Sequence, residues 1–368
     1  MQLTKQDALH CAKVFQDYFG NFSRIDEYMR DQKLASLSEI STNPLFPIEE
    51  DLFSDFSMHP NDMDLEVLEI PNETWETLLS ITSSHVNIRP VGRNLHLAVK
   101  EKNSGKFVGF IRLGSPVINC RPRNEMLGQV FTQNPEWGKR FNDSSMMGFV
   151  IVPSQPFGFN YLGGKLLAAI CTSHTVREMV NKKYDMNMCL FETTSLYGSS
   201  KNVSQYDGMK PYIRYKGLTE SDFLPMMHGK PYSNLVEFVE SKIGKIVDDG
   251  ISSRKLKISM KIISLTRAAL KGTPELAAFD TTIENAKKLT EQKRYYISDY
   301  GFKNMVDYVN CKTDKLLPGE NYHKHELENV IQWWKQKAIN RYDTLKAEGR
   351  LRNELEIWTS GKDIQIIR

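Results

Sequence analysis

Several features are scarce in this 368-residue chain. Its five cysteines, Cys11, Cys120, Cys171, Cys189 and Cys311, are scattered and have no C-x-x-C spacing. They read as free thiols of a reducing compartment, and no pair has the spacing of zinc ligands. No run of 18 apolar residues occurs, so no membrane span is expected. The N-terminus, MQLTKQDALHCAKVFQDYF, mixes charges into a helical pattern and lacks the apolar stretch of a signal peptide. The expected location is therefore the cytoplasm. Charge of one sign is scarce as well: the formal net charge is +3, too small to argue for nucleic acid or membrane by itself. Repeats and low-complexity segments are absent. What remains is ordinary globular composition, 40% hydrophobic and 25% charged, in a length that allows two or three domains.

The distribution of residues is more informative than their totals. Residues 1–34 carry Ala8, Ala12, Phe15, Tyr18 and Phe19 at helical spacing, and 35–60 is a Ser-, Pro- and acid-containing connecting segment or extended arm. From Asp62 the texture changes. Leu65–Ile70 alternates as a strand, and Asn72 can cap a helix running to about Ser84. Leu95–Val99 and Phe107–Leu113 form a hairpin around Asn103-Ser104-Gly105. An insertion with a short helix covers 116–142. Met147–Val152 reads as a buried strand, a glycine-containing loop follows, and a helix is expected from Gly164 to Lys182. Met188–Thr193 and Tyr212–Tyr215 complete the strands. From Ser233 the pattern is helical to the end, over 233–247, 254–271, 274–309 with room for a break near Asp299–Gly301, and 324–349. The expected domains are 1–61, 62–232 and a basic, all-helical module at 233–368.

Residues 147–167 hold the main chemical suggestion. A buried strand runs into a loop with Gly163-Gly164 and then a helix, whose first turn presents unpaired N–H groups suited to a pyrophosphate. The competing reading is a tight strand-to-helix turn that needs glycine only for space.

Phe149-Val150-Ile151-Val152-Pro153, followed by Asn160-Tyr161-Leu162-Gly163-Gly164-Lys165-Leu166-Leu167, resembles the acyl-CoA motif of GNAT-type acyltransferases. The order of elements around it matches too. Tyr161 stands at the motif's first glycine position and Gly158 where an Arg or Gln is usual, which points to a divergent branch. Gly109–Ser115, Phe149–Pro153, Leu190–Thr193 and Tyr206–Met209 are similar to the DruA-like family and reminiscent of phage Mom-type DNA modification enzymes. The resemblance covers roughly residues 95–218. It implies an α/β (α+β) fold with a GNAT-like mixed sheet and flanking helices, and a phage- or defence-linked context. It also implies an acyl-CoA or related donor held by Val152, Asn160, Leu162, Gly163, Gly164 and Lys165.

Direct transfer from a thioester needs a base near the amine and a donor near the leaving sulfur. Glu192, at the end of an apolar strand, is the first candidate base; a solvated strand-end carboxylate is the alternative. Tyr206 lies where the GNAT family often places the tyrosine that protonates the thiolate, with Tyr197 a nearby second choice and a packed structural tyrosine the plain reading. Arg112 alternates along its strand and could face a cleft or solvent. Ser195 has no Ser/His/Asp pattern around it. His323 and His325 form an H-x-H read as an exposed pair, His174 is read as a surface residue, and no metal is expected.

The last third of the chain mixes cations with aromatics. Residues 254–271 carry six basic residues and no acidic one, and 333–352 repeats the theme around Trp333-Trp334. These segments are either solvated faces over a core or a nucleic-acid surface, in which cations meet phosphates and flat groups meet bases. A base-modifying enzyme would need such a surface. The expectation is thus a nucleic-acid-directed transferase or a non-catalytic DNA- or RNA-binding protein on a decayed GNAT fold, with oligomeric state open.

Overall fold

A computed structural model describes residues 2–20, 33–34, 48–84, 92–195, 204–219, 227, 229–248, 254–291 and 293–358. In chain order, α1 (Lys5–Gly20) leads to β1 (Leu65–Glu69), α2 (Asn72–Thr82), β2 (Asn94–Glu101) and β3 (Lys106–Gly114). The helices α3 (Arg121–Leu127) and α4 (Pro135–Asn142) precede β4 (Ser145–Pro153). Then come α5 (Phe157–Tyr161), α6 (Gly163–Ile170), α7 (His174–Tyr184), β5 (Leu190–Ser195) and β6 (Arg214–Thr219). The series ends with α8 (Gly229–Ile243), α9 (Arg254–Ala269), α10 (Pro274–Glu291), β7 (Lys293–Ser298), α11 (Met305–Val309) and α12 (Leu327–Ala347).

The chain divides into two units, one of Met1–Tyr28 with Glu220–Gln292 and one of Met29–Thr219 with Lys293–Arg368. In the first, α1 buries Ala8, Cys11, Ala12, Phe15, Tyr18 and Phe19, the stripe its periodicity requires. Its start is closed reciprocally: the Asp7 N–H donates to Thr4 Oγ1 at 3.2 Å and the Thr4 N–H to the Asp7 carboxylate. The stripe joins Leu235 and Val239 of α8, Ile258, Ile262 and Ile263 of α9, and Phe279 and Ile283 of α10 in one core.

The second unit is built on a seven-stranded sheet in the order β1-β2-β3-β4-β5-β7-β6. Every neighbouring pair is antiparallel except β4 and β5. Their parallel ladder runs only from Ser145–Leu190 to Gly148–Thr193, although both strands continue. On one face, Trp75 of α2 is fully buried, stacks on His96 at 4.0 Å and donates its indole N–H to the Leu97 carbonyl. The core also takes in α5, α6 and α12: Trp334 of α12 is fully buried and donates to the Tyr161 carbonyl at 2.8 Å. Gly109 of β3 is needed here, because a Cβ would press into Leu167 of α6 and the Pro153 backbone.

The observed mixed α/β architecture agrees with the sequence reading, and three expectations are corrected. The expected helix at 274–309 contains β7, whose Lys-Arg-Tyr-Tyr-Ile-Ser sequence lies between β5 and β6 with Tyr295–Ser298 buried. A strand covered on both faces shows no alternation, and α10 runs up to it without a glycine or proline break. The all-helical module expected at 233–368 is accordingly divided, since β7 and α12 belong to the sheet unit. The single helix expected at 164–182 is two helices, α7 starting afresh where Ser173 Oγ accepts the Val176 N–H at 3.2 Å.

Candidate functional site

The three candidate catalytic side chains are built into the sheet unit, and each is buried. Glu192 is 1% exposed on β5. Arg123 of α3 donates through Nη1 to both its oxygens, at 3.2 and 3.3 Å, and the Tyr295 hydroxyl of β7 donates to Oε1. Burial pushes the Glu192 carboxyl up, opposed by the Arg123 charge. Arg123 also donates to the Val117 and Ile118 carbonyls at 2.8 and 2.7 Å and lies 4.3 Å from the Phe141 ring centre. Glu192 is thus committed to an internal ion pair rather than turned toward solvent.

Tyr206 packs edge-on against Tyr296 at 5.3 Å, and burial pushes its hydroxyl up to about 12. Tyr296 is in register with Thr193, the neighbour of Glu192, and successive strand residues point to opposite faces. Tyr206 and Glu192 therefore stand on opposite faces of the sheet. Arg112 of β3 is 6% exposed, in register with His96 and Val150, with its guanidinium 5.6 Å from the Phe149 ring. Burial holds it below the ordinary arginine range, opposed by Glu76. Ser195 ends β5, and Tyr197 lies outside the described residues.

The residues expected to cradle an acyl donor are engaged within the chain itself. A Cβ at Gly164 would strike the Gln205 carboxamide oxygen, and one at Gly163 would meet Pro153 and Phe157 at 2.8 Å. Leu162 takes a left-handed conformation between α5 and α6, φ 56°, so the expected loop is a pair of short helices. Asn160 is fully buried and clamps the chain after α12, donating to the Arg352 carbonyl at 2.8 Å and accepting its N–H at 3.2 Å. Tyr161, at the position of a glycine in the resembled motif, is fully buried and places its hydroxyl 2.9 and 3.0 Å from the Phe56 and Met58 carbonyls. Lys165 donates to the Gln205 and Asp207 carbonyls at 2.9 and 2.6 Å. Val152 pairs with Phe110 inside the sheet. The polar side chains among them, Asn160 and Lys165, are thus spent on backbone groups of this chain.

Reading the sequence missed the partners of these groups. Asp207 accepts from the Ser204 N–H, the Tyr296 hydroxyl and Arg294, at 3.0, 2.9 and 3.1 Å. Burial pushes its carboxyl up, but those bonds and the Arg294 charge outweigh it and hold it below the usual range. Arg123, Tyr295, Arg294 and Tyr296 carry no local motif, and three of the four lie on the strand read as helix. The histidines are also corrected. His325 is fully buried, with Nδ1 2.7 Å from the Thr172 carbonyl, and His174 is 4% exposed, with Nε2 2.9 Å from the Tyr322 carbonyl. The H-x-H lies in a 3-10 turn at Tyr322–His325, which sends residues two apart in different directions, His325 inward and His323 outward. Among the described residues no three His, Cys, Asp or Glu side chains come together as metal ligands. None of their helices is long and apolar enough to cross a membrane.

Sheet, covering helices and internally satisfied polar groups define a mixed α/β protein with a largely antiparallel sheet. The comparisons narrow the class over part of its length. Residues 41–207 match the family described as Druantia protein DruA. A curated protein of that description from Escherichia coli (strain UMEA 4076-1) is 27% identical over 171 residues, 41% of this chain and 40% of that protein. The chain thus spans well under half of that relative's length. No solved structure matches.

Proposed function

We propose that this chain is a DruA-like protein of a phage-defence system that binds nucleic acid and does not carry out acyl transfer. The defence context rests on the match over residues 41–207. The observation that carries the binding role is the charge on two helices. Residues 254–271 hold six cations and no acid, and 335–352 hold six cations against Asp343 and Glu348. On α9, Ile258, Ile262, Ile263 and Leu265 enter the core, which leaves Lys257 and Lys261 in solvent, with Lys271 exposed just past its end. Cations arrayed on a face whose opposite side is buried suit a phosphate backbone. Against transfer stand the internal pairing of Glu192 and the engagement of Asn160 and Lys165 within the chain.

The test is binding of the full chain to labelled single- and double-stranded DNA and RNA across a salt series. Binding that weakens steeply with salt supports the role; no binding at low salt, or binding indifferent to salt, removes it. One observation favours a second reading, a GNAT-like transferase modifying a nucleobase or amine: the order 1-2-3-4-5-7-6 with a single parallel pair that parts after four residue pairs. Saturable binding of coenzyme A, lost in Gly163→Glu, would move the conclusion to that reading.

A further inference from the structure

The two basic helices differ in how their cations are used. On α9, Arg267 is paired with Asp280 at 2.7 Å, Lys255 lies 4.6 Å from the Tyr232 ring centre, and Arg254 donates toward the Val247 carbonyl at 3.5 Å. Three of that helix's five cations are therefore engaged within its own unit. On the sheet unit, cations from three elements converge. Lys337 and Arg341 are one turn apart on α12, Lys165 opens α6, and Arg350 and Arg352 follow α12.

Convergence of like charges works against folding unless an anion is held there. Burial and the nearby charge of Lys337 hold Lys165 below the usual lysine range, and burial and Arg350 do the same to Arg341. The acids nearby meet the arginines after α12, Glu348 on Arg350 and Glu356 on Arg352 at 2.9 Å, while Asp343 lies 3.5 Å from His59. Among the described residues, the Lys337 ammonium meets only the Trp333 ring, 5.3 Å from its centre. The arginines are held in place rather than trailing in solvent. Arg341 and Arg352 lie 4.7 and 4.2 Å from the centre of the same Phe159 ring, and Arg341 Nε donates to the Phe159 carbonyl at 3.2 Å.

We propose that Lys337 and Arg341, with Phe159 holding the arginine in place, form the strip where this protein holds the phosphates of a nucleic-acid strand. The strip deepens the nucleic-acid reading given above and rests on it. It places the contact on the sheet unit and makes the α9 lysines secondary. Cations fixed by packing before a strand arrives lose less freedom on binding than free lysines do. The two α12 residues are spaced along a helix, so successive phosphates can be met without distortion of the protein.

The experiment is anisotropy of a labelled single-stranded DNA oligonucleotide with the full chain over a salt series. For Lys337→Gln/Arg341→Gln the expectation is about tenfold weaker binding, with a log–log salt slope shallower by about 1.4, the value for two lost phosphate contacts. Arg341→Lys keeps the charge and should keep the slope. Lys257→Gln/Lys261→Gln/Lys271→Gln should change affinity less than about twofold, as for cations outside the contact. Should the double variant melt at a lower temperature than the wild type, Lys337→Gln alone decides: about half the slope change supports the strip, and none overturns it. Wild-type affinity and slope in the folded double variant, or transfer of the loss to the α9 variant, overturns the strip and leaves the nucleic-acid role standing. No binding by the wild type overturns both.

Discussion

Two groups of charged side chains in the sheet unit use proximity in opposite ways. Around Glu192, opposite charges meet out of water: Arg123 and Tyr295 satisfy the carboxylate, and backbone carbonyls accept from both terminal guanidinium nitrogens. Along α12, like charges meet at the surface, and nothing described there cancels them at Lys337. The first arrangement loses stability when either member is removed. In the second, removing a member relieves repulsion and also gives up that residue's own contact, such as that of Lys337 with the Trp333 ring. A charged residue at the end of a buried strand and a charged residue on a basic helix look alike in a sequence. Their surroundings separate a structural charge from one that can serve a ligand.

The sharpest break in that comparison is at Glu192. Glu192→Ala leaves Arg123 buried without a counter-charge and should destabilise the protein by about 3–5 kcal/mol in denaturant unfolding. The conservative Glu192→Gln keeps an acceptor and should cost less. A loss under about 1 kcal/mol for the alanine variant would mean that water reaches the pair, and Glu192 would return as a candidate base.

A neutral buried group sharpens the same contrast. Burial pushes His325 down from 6.5 to about 4, opposed by its bond to the Thr172 carbonyl. The imidazole is then neutral in the folded chain where the unfolded chain has already taken up a proton. Its contribution is complete above pH 6.5 and is lost as pH falls from 6.5 through about 4. The full loss is on the order of 3 kcal/mol. Unfolding free energy measured across that interval should fall less steeply in His325→Gln than in the wild type; parallel curves would show that His325 does not titrate with folding. A smaller effect is expected at Tyr161→Phe. The variant removes one buried hydroxyl bonded to backbone carbonyls and should cost about 1 kcal/mol in the same assay.

Much of the sheet was legible because strands β1 to β5 announce themselves by alternation, by the Gly105 turn and by the apolar run at Met147–Val152. β7 was hidden because Tyr295–Ser298 is covered on both faces and follows a long helix directly. The candidate site was legible as a set of residues but not as an arrangement. Glu192 was read at a strand end but lies within β5, and its partner Arg123 is 69 positions away in an insertion that has no chemical signature. Gly163 and Gly164 are explained by Pro153, Phe157 and Gln205, none of which a spacing rule connects to them. The plain reading of Trp334 as a core residue held, because a helix that buries Val330, Trp334, Ala338, Tyr342 and Leu345 has the periodicity of a packed face. That same periodicity puts Arg341 within the stripe and Lys337 at its edge, where both side chains are half-buried.

Lys337→Gln should leave stability within about 0.5 kcal/mol of the wild type, and the sign of the change carries the information. If Lys337 stands there for folding, through its contact with Trp333, its loss lowers the melting temperature at every salt concentration. If it stands there for a ligand, its loss relieves the repulsion of Lys165, and the variant melts slightly higher at low salt. That gain must shrink as salt rises, because ions screen exposed charges over about 10 Å at 0.1 M and about 3 Å at 1 M. A stabilising, salt-erased substitution that also weakens DNA binding would mark a position where stability is given up for contact with an anion. A destabilising substitution indifferent to salt would place Lys337 with Glu192, among the charges that hold the fold.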